Sequence, residues 1–194
     1  MCINFESSVF SFLLGTTTGL ILSMQESVYK KSIGIFIFFF SFVQLFEAFI
    51  YKGYDSNGLF SKLIFANLSL QGLVLCMALF FICKLQDIKW YLLFNSIIAG
   101  LLLFHLFSTN FQKNTSNNCT SWIFMDLYTR VLLFAMYISI IYYLLTNKNL
   151  FLYNFGLFLS STAIISYFIS YITVNAPSMW CLTSALFAPF LLMK

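Results

Sequence analysis

The sequence predicts an all-α fold: an integral membrane bundle of seven helices, N-terminus outside and C-terminus cytoplasmic. Three observations lead there. Of 194 residues, 61% are hydrophobic and only 8% charged, against about 25% charged in ordinary soluble domains. The mean hydropathy is +0.91. The apolar residues fall in continuous runs of near-membrane length, not in the short alternating segments of a barrel. A chain so poor in charge cannot cover a water-facing surface, which excludes a soluble enzyme and a disordered linker. The net charge of +4 rests on ten Lys and Arg. They are scattered mostly singly between apolar runs, so no basic face for a nucleic acid forms. The partner implied is the lipid bilayer, with no nucleic acid and no cofactor.

A helix needs roughly 20 apolar residues to cross a ~30 Å hydrocarbon core. By that ruler the spans run at about 8–24, 33–51, 63–83, 88–107, 122–145, 150–172 and 177–193, and they make the whole chain a single domain. The first carries Glu6 instead of a positive leader and has no small-x-small cleavage site, so it is expected to be retained. The second closes at the polar run Lys52-Gly53-Tyr54-Asp55-Ser56-Asn57-Gly58. The break Lys84-Leu85-Gln86-Asp87-Ile88-Lys89 is tight, so the third and fourth spans form an antiparallel hairpin. The fifth follows the longest polar break, from Ser108 to Ser121, and the sixth follows the turn Thr146-Asn147-Lys148-Asn149. The seventh opens on Pro177, a residue suited to the first helical position. It carries Pro189, which is expected to kink it or end it early.

Orientation follows the basic residues of the loops. Lys30, Lys31, Lys84, Lys89, Lys148 and Lys194 fall on one side, and Lys52, Lys62 and Lys113 on the other. The larger group marks the cytoplasmic side. Two glycosylation acceptors, Asn114 in Asn114-Thr115-Ser116 and Asn118 in Asn118-Cys119-Thr120, then lie in an outer loop.

Close helix packing in lipid requires small residues, because hydrocarbon gives helices no hydrophobic drive to meet. The first span carries Ser11, Gly15, Gly19 and Ser23 at i+4 spacing. Packing within the chain is the expected use of this stripe, and a homo-oligomer contact is the alternative. Five cysteines are present. Cys76 and Cys83 fall within the third span as core thiols. Cys2, Cys119 and Cys181 are expected on the oxidising side, where a disulfide is permitted. Cys2 with Cys181 is the preferred pair and Cys119 the rival partner; three thiols cannot all pair within one chain. No HxxxH or CxxC spacing supports a metal site.

Ionisable groups inside spans are expensive and face a bundle interior or a wet cavity. Glu47, His105, Asp126 and Arg130 are such groups, and Gln44 precedes Glu47 by three residues on the same helical face. Asn95 and Gln71 are further polar positions. Asp126 and Arg130 form an i, i+4 pair. Under the expected topology all four ionisable groups fall in the outer half, which predicts a polar chamber open to the outside. The competing structural reading is a satisfied Asp126–Arg130 ion pair, completed by Glu47, with His105 as an interfacial histidine.

The start Met1-Cys2, the segment Gln44-Leu45-Phe46-Glu47-Ala48-Phe49-Ile50-Tyr51 and the late Trp180-Cys181 carry a resemblance. They resemble an uncharacterised family of small bacterial multi-spanning membrane proteins. Its members open with Met-Cys-Phe-Ser, carry Gln-x-x-Glu-Gly-x-x-Trp in the second span and Trp-Cys in the last. Here Ile3-Asn4, Ala48 and Tyr51 depart from that pattern. The resemblance implies no activity, but it marks Cys2, Gln44, Glu47, Trp180 and Cys181 as the matching positions.

Enzymatic classes find no support. A retinal Schiff base needs a lysine in the middle of the last span, and Lys194 is at its end. Seven-span zinc lipid hydrolases use several histidines, and this chain has one. No GxSxG elbow is present. The preferred reading is a proton, ion or small-solute channel or transporter with Gln44, Glu47, His105, Asp126 and Arg130 lining its site. The alternative is a non-transporting membrane protein: a receptor-like sensor, an assembly factor or a structural envelope component. The cysteine reading predicts that mass mapping under non-reducing conditions recovers a peptide linking Cys2 to Cys181. Recovery of both as free thiols from an oxidising compartment would overturn it.

Overall fold

The structure, a computed structural model, describes residues 5–55, 58–108, 127–173 and 188–192. Among the described residues the fold is all-helical: α1 (Phe5–Ser23), α2 (Val28–Tyr51), α3 (Leu59–Phe81), α4 (Lys89–Ser108), α5 (Leu127–Thr146) and α6 (Leu150–Thr173), with a short 3-10 segment at Ala188–Leu192. Helices α1 to α5 are each long and apolar enough to cross a membrane, and the stretch Leu150–Ile165 of α6 is apolar too. The side chains on the outside suit lipid: Phe81, Phe104, Phe107, Leu127 and Phe134 are all more than half exposed. The inside holds polar residues among the apolar ones, with Gln44, Gln71 and Asn95 fully buried.

Helices adjacent in sequence pack side by side, α1 on α2, α2 on α3, α3 on α4 and α5 on α6. The chain then closes through α4 on α5 and α3 on α5, and the 188–192 segment lies against α1. Short turns make successive neighbours antiparallel. The C-terminal ends of α2 and α4 therefore share one end of the bundle with the N-terminal end of α3.

The α1–α2 pair is the tightest contact. A Cβ placed on Gly19 would sit 2.6 Å from the Phe38 backbone nitrogen, and one on Gly34 would sit 2.4 Å from the Ser23 nitrogen. The two backbones touch, and only glycine permits that approach. Gly15 and Ser11 are buried on the same helix. Aromatic contacts flank the crossing, with Phe12 edge-on to Phe42 at 5.6 Å. At the far end the Lys52 ammonium lies 4.2 Å above the Phe5 ring, a cation–π clasp.

Helix ends are set by local chemistry. The buried Asp55 accepts the Phe60 N–H at 2.7 Å and bonds the Ser61 backbone and hydroxyl, satisfying donors that α3 leaves open at its first turn. Asn149 does the same for α6, accepting from Phe151 at 3.0 Å and Leu152 at 3.2 Å. After α3, Lys84 takes φ 55° and Leu85 N–H returns to the Leu79 carbonyl at 3.4 Å, a left-handed helix stop.

Two expectations are refined. Helix α2 begins at Val28, so Lys30 and Lys31 lie inside it and the break after α1 shrinks to Met24–Ser27. Their long aliphatic stems let the ammonium groups reach a polar boundary while the backbone stays helical. The expected seventh span falls largely outside the described residues. Its described part is the 3-10 segment containing Pro189, whose ring and missing N–H disfavour a continuous α-helix.

The crossing yields a contrast between two glycines. Gly19→Ala should lower stability by about 1–3 kcal/mol through overpacking. Gly100→Ala, where a Cβ meets nothing within 4 Å, should be neutral or slightly stabilising. Thermal unfolding of the two variants in detergent checks this.

Candidate functional site

Spacing on α2 builds the first part of the site. Residues three apart on a helix are neighbours, and the Gln44 Nε2 donates to Glu47 Oε2 at 3.0 Å. Gln44 is 0% and Glu47 1% exposed. The pair sits one to two turns from the C-terminal end of α2, so an acidic side chain is held inside an apolar helix with a hydrogen bond from its own chain. Burial of such a group among apolar helices is costly.

A second set links α2, α3 and α5 near the middle of the bundle. Asn67 Nδ2 donates to the Phe39 carbonyl at 3.1 Å, and Gln71 Nε2 donates to Asn67 Oδ1 at 2.9 Å. Tyr137 Oη donates to Gln71 Oε1 at 2.5 Å. A third set lies towards the other end. Asn95 Nδ2 donates to the Tyr91 carbonyl at 2.7 Å and to Ser139 Oγ at 3.2 Å. Its Oδ1 is buried without a hydrogen bond, beside Gly72, where a Cβ would come within 2.5 Å of it. Glycine at 72 therefore makes room for the Asn95 amide. Lower still, Tyr143 Oη donates to Asp87 Oδ1 at 3.3 Å, and its ring packs on Tyr91 at 5.0 Å. Where α2, α5 and α6 meet, Phe36, Phe40, Tyr137, Ile140, Ile141 and Leu159 line a narrow, mainly apolar cleft.

Of the expected site residues, Gln44 and Glu47 are brought together. His105 is half-buried on α4, its ring 5.9 Å from that of Tyr128 on α5. Arg130 is on the exposed side of α5, and the neighbouring inward position is Thr129, 1% exposed. Asp126, the cysteines Cys2, Cys119 and Cys181, and the glycosylation candidates Asn114 and Asn118 lie outside the described residues. Cys76 and Cys83 are free thiols. Burial pushes the Cys83 thiol up, partly offset by its bond with the Ser32 hydroxyl, so it is a poor nucleophile near neutral pH. Among the described residues, no three His, Cys, Asp or Glu gather as metal ligands.

Asn67, Tyr137 and Ser139 were not singled out from the sequence. Asn67 and Gln71 are i, i+4 on α3, and that spacing is the signal that identifies them as a pair. Comparison with protein-family models, with curated proteins and with solved structures finds no match for this chain. The arrangement is an all-helical bundle whose apolar helices suit a membrane and whose interior carries polar side chains from one end to the other.

The central chain of bonds predicts that Tyr137→Phe, which leaves Gln71 Oε1 without its hydroxyl donor, lowers stability by about 1 kcal/mol. Thermal unfolding in detergent measures it. An unchanged midpoint would show that this bond contributes nothing.

Proposed function

We propose that this chain is a multi-pass membrane protein that conducts a proton or small ion, with the buried Gln44–Glu47 pair as its ion-handling centre. The observation that carries the reading is Glu47, 1% exposed inside a helix long and apolar enough to cross a bilayer. An ionisable residue at such depth marks a functional site by default, because its burial is otherwise a standing expense in free energy. The polar groups at Asn67, Gln71 and Tyr137, then Asn95 and Ser139, then Tyr143 and Asp87 continue towards the other end of the bundle. They supply the inner-half polarity that conduction requires. His105, Arg130 and Asp126 belong to the outer rim of the same proposal. So do seven spans with an outside N-terminus, a Cys2–Cys181 disulfide and glycosylation at Asn114 and Asn118. The motif resemblance falls on the Gln44–Glu47 pair as well. The reading assigns no catalytic step.

A second reading has an observation of its own. The Asn67, Gln71 and Tyr137 bonds are made within the protein, as in a static brace between helices. In that case the chain is a non-transporting membrane component.

Flux separates the two. In proteoliposomes under a pH gradient, wild type should carry current, and Glu47→Gln should suppress it by about tenfold or more while keeping its helicity and unfolding midpoint. An equal flux in the variant, or none in wild type, would favour the static reading.

A further inference from the structure

We propose that the end of the bundle where α2, α4 and α6 begin is a docking surface for anionic phospholipid headgroups. The inference rests on the multi-pass reading and does not need conduction. Half of the ten Lys and Arg of the chain belong to this end. Lys30 and Lys31 stand in the first turn of α2, Lys84 follows α3, Lys89 opens α4 and Lys148 lies in the turn before α6. Among the described residues, only Glu26 and Asp87 bring acidic side chains there. The opposite end is balanced: Lys52, Lys62 and Arg130 share it with Glu6, Asp55 and, deeper, Glu47.

Contacts between the turns gather these lysines. Cys83 Sγ donates to the Val28 carbonyl at 3.4 Å, and Ser32 Oγ donates to the Ala78 carbonyl at 3.2 Å. Lys84 is thereby brought beside the turn that holds Lys30 and Lys31. Lys30 Nζ lies 6.0 Å from the Phe151 ring centroid, which joins the start of α2 to the start of α6, three residues after Lys148. Tyr143 Oη donates to Asp87 Oδ1 at 3.3 Å, which joins the turn before Lys89 to the end of α5. Lys84, Lys89 and Lys148 are exposed, and Lys30 and Lys31 are half-buried. Like charges gathered on one surface repel, and an anion brought among them relieves that repulsion.

The surroundings of the lysines select a lipid over a free anion. Phe81 is 64%, Trp90 66% and Leu150 71% exposed, and each lies within three residues of an exposed lysine. Lys89 Nζ sits 5.4 Å from the Trp90 ring centroid, so cation and exposed indole share one spot, as at a membrane interface. A phospholipid meets both needs, with its phosphate on the ammonium groups and its acyl chains on the apolar side chains. A soluble phosphate meets only the first. The cations are all lysines, which act as point charges on flexible stems and impose no fixed fork on their partner. Net charge is therefore what the surface reads, whatever the shape of the headgroup.

The test uses the full chain purified in detergent. Thermal unfolding is followed while phosphatidylglycerol, or phosphatidylcholine with the same acyl chains, is titrated into the micelles. A saturable rise of Tm with phosphatidylglycerol is expected, as ligand linkage requires, and added salt should weaken it. Lys84→Gln/Lys89→Gln/Lys148→Gln should move the midpoint of that titration on the order of a hundredfold, and Lys148→Gln alone about fivefold. Lys62→Gln, an exposed position at the opposite end, should leave it in place. No rise in wild type, an equal rise with phosphatidylcholine or inorganic phosphate, or an unmoved midpoint in the triple variant would overturn the docking surface. Alkaline extraction tells the two readings apart. A wild type that stays in membranes through it but shows no rise loses the docking surface and keeps the multi-pass reading; release by alkali removes both.

Discussion

Helices long and apolar enough to cross a membrane would gain nothing hydrophobic by meeting each other in lipid, so such a bundle depends on contacts that hydrocarbon cannot imitate. This chain uses two kinds. Between α1 and α2 it removes side chains, and Gly19 and Gly34 let two backbones come into van der Waals contact. Between α2, α3, α4 and α5 it adds polar groups, and Asn67, Gln71, Tyr137, Asn95 and Ser139 bridge helices with hydrogen bonds. Dispersion forces and aromatic packing fill the remaining space, as where Phe36 meets Phe155 at 6.0 Å. The first kind fixes register and the second fixes which helix faces which.

Helix positions are legible in the sequence because the bilayer imposes a length, and length needs only a count of apolar residues. The glycine stripe of α1 is legible for a similar reason, since i+4 spacing is a property of one helix alone. Its partner Gly34 is not, because nothing in the α2 sequence distinguishes it from a helical glycine with room to spare, such as Gly100. Helix beginnings are less legible. Lys30 and Lys31 read as a loop, yet they sit inside α2, because a lysine tolerates a helix end near a polar boundary.

The candidate site divides along the same line. Gln44 and Glu47 are joined by a bond within one helix, and their three-residue spacing announces it. The side of α5 that turns inward is set by its neighbours, so the sequence alone marked Arg130, whereas the buried position is Thr129. Ser8 and Ser11 carried no polar signal of their own; short hydroxyls in apolar text read as packing residues. Their burial depends on the packing of α1 against its neighbours, which is a tertiary property. Position along a helix is thus readable from sequence, while rotation about its axis is not.

The four-residue turn Met24–Ser27 has a consequence for biogenesis. It separates α1 from the helix it touches most closely, so that contact closes a very small loop. The two segments can lock together as soon as the second has emerged from the ribosome, without waiting for α3 to α6. Closing a loop this short costs little chain entropy.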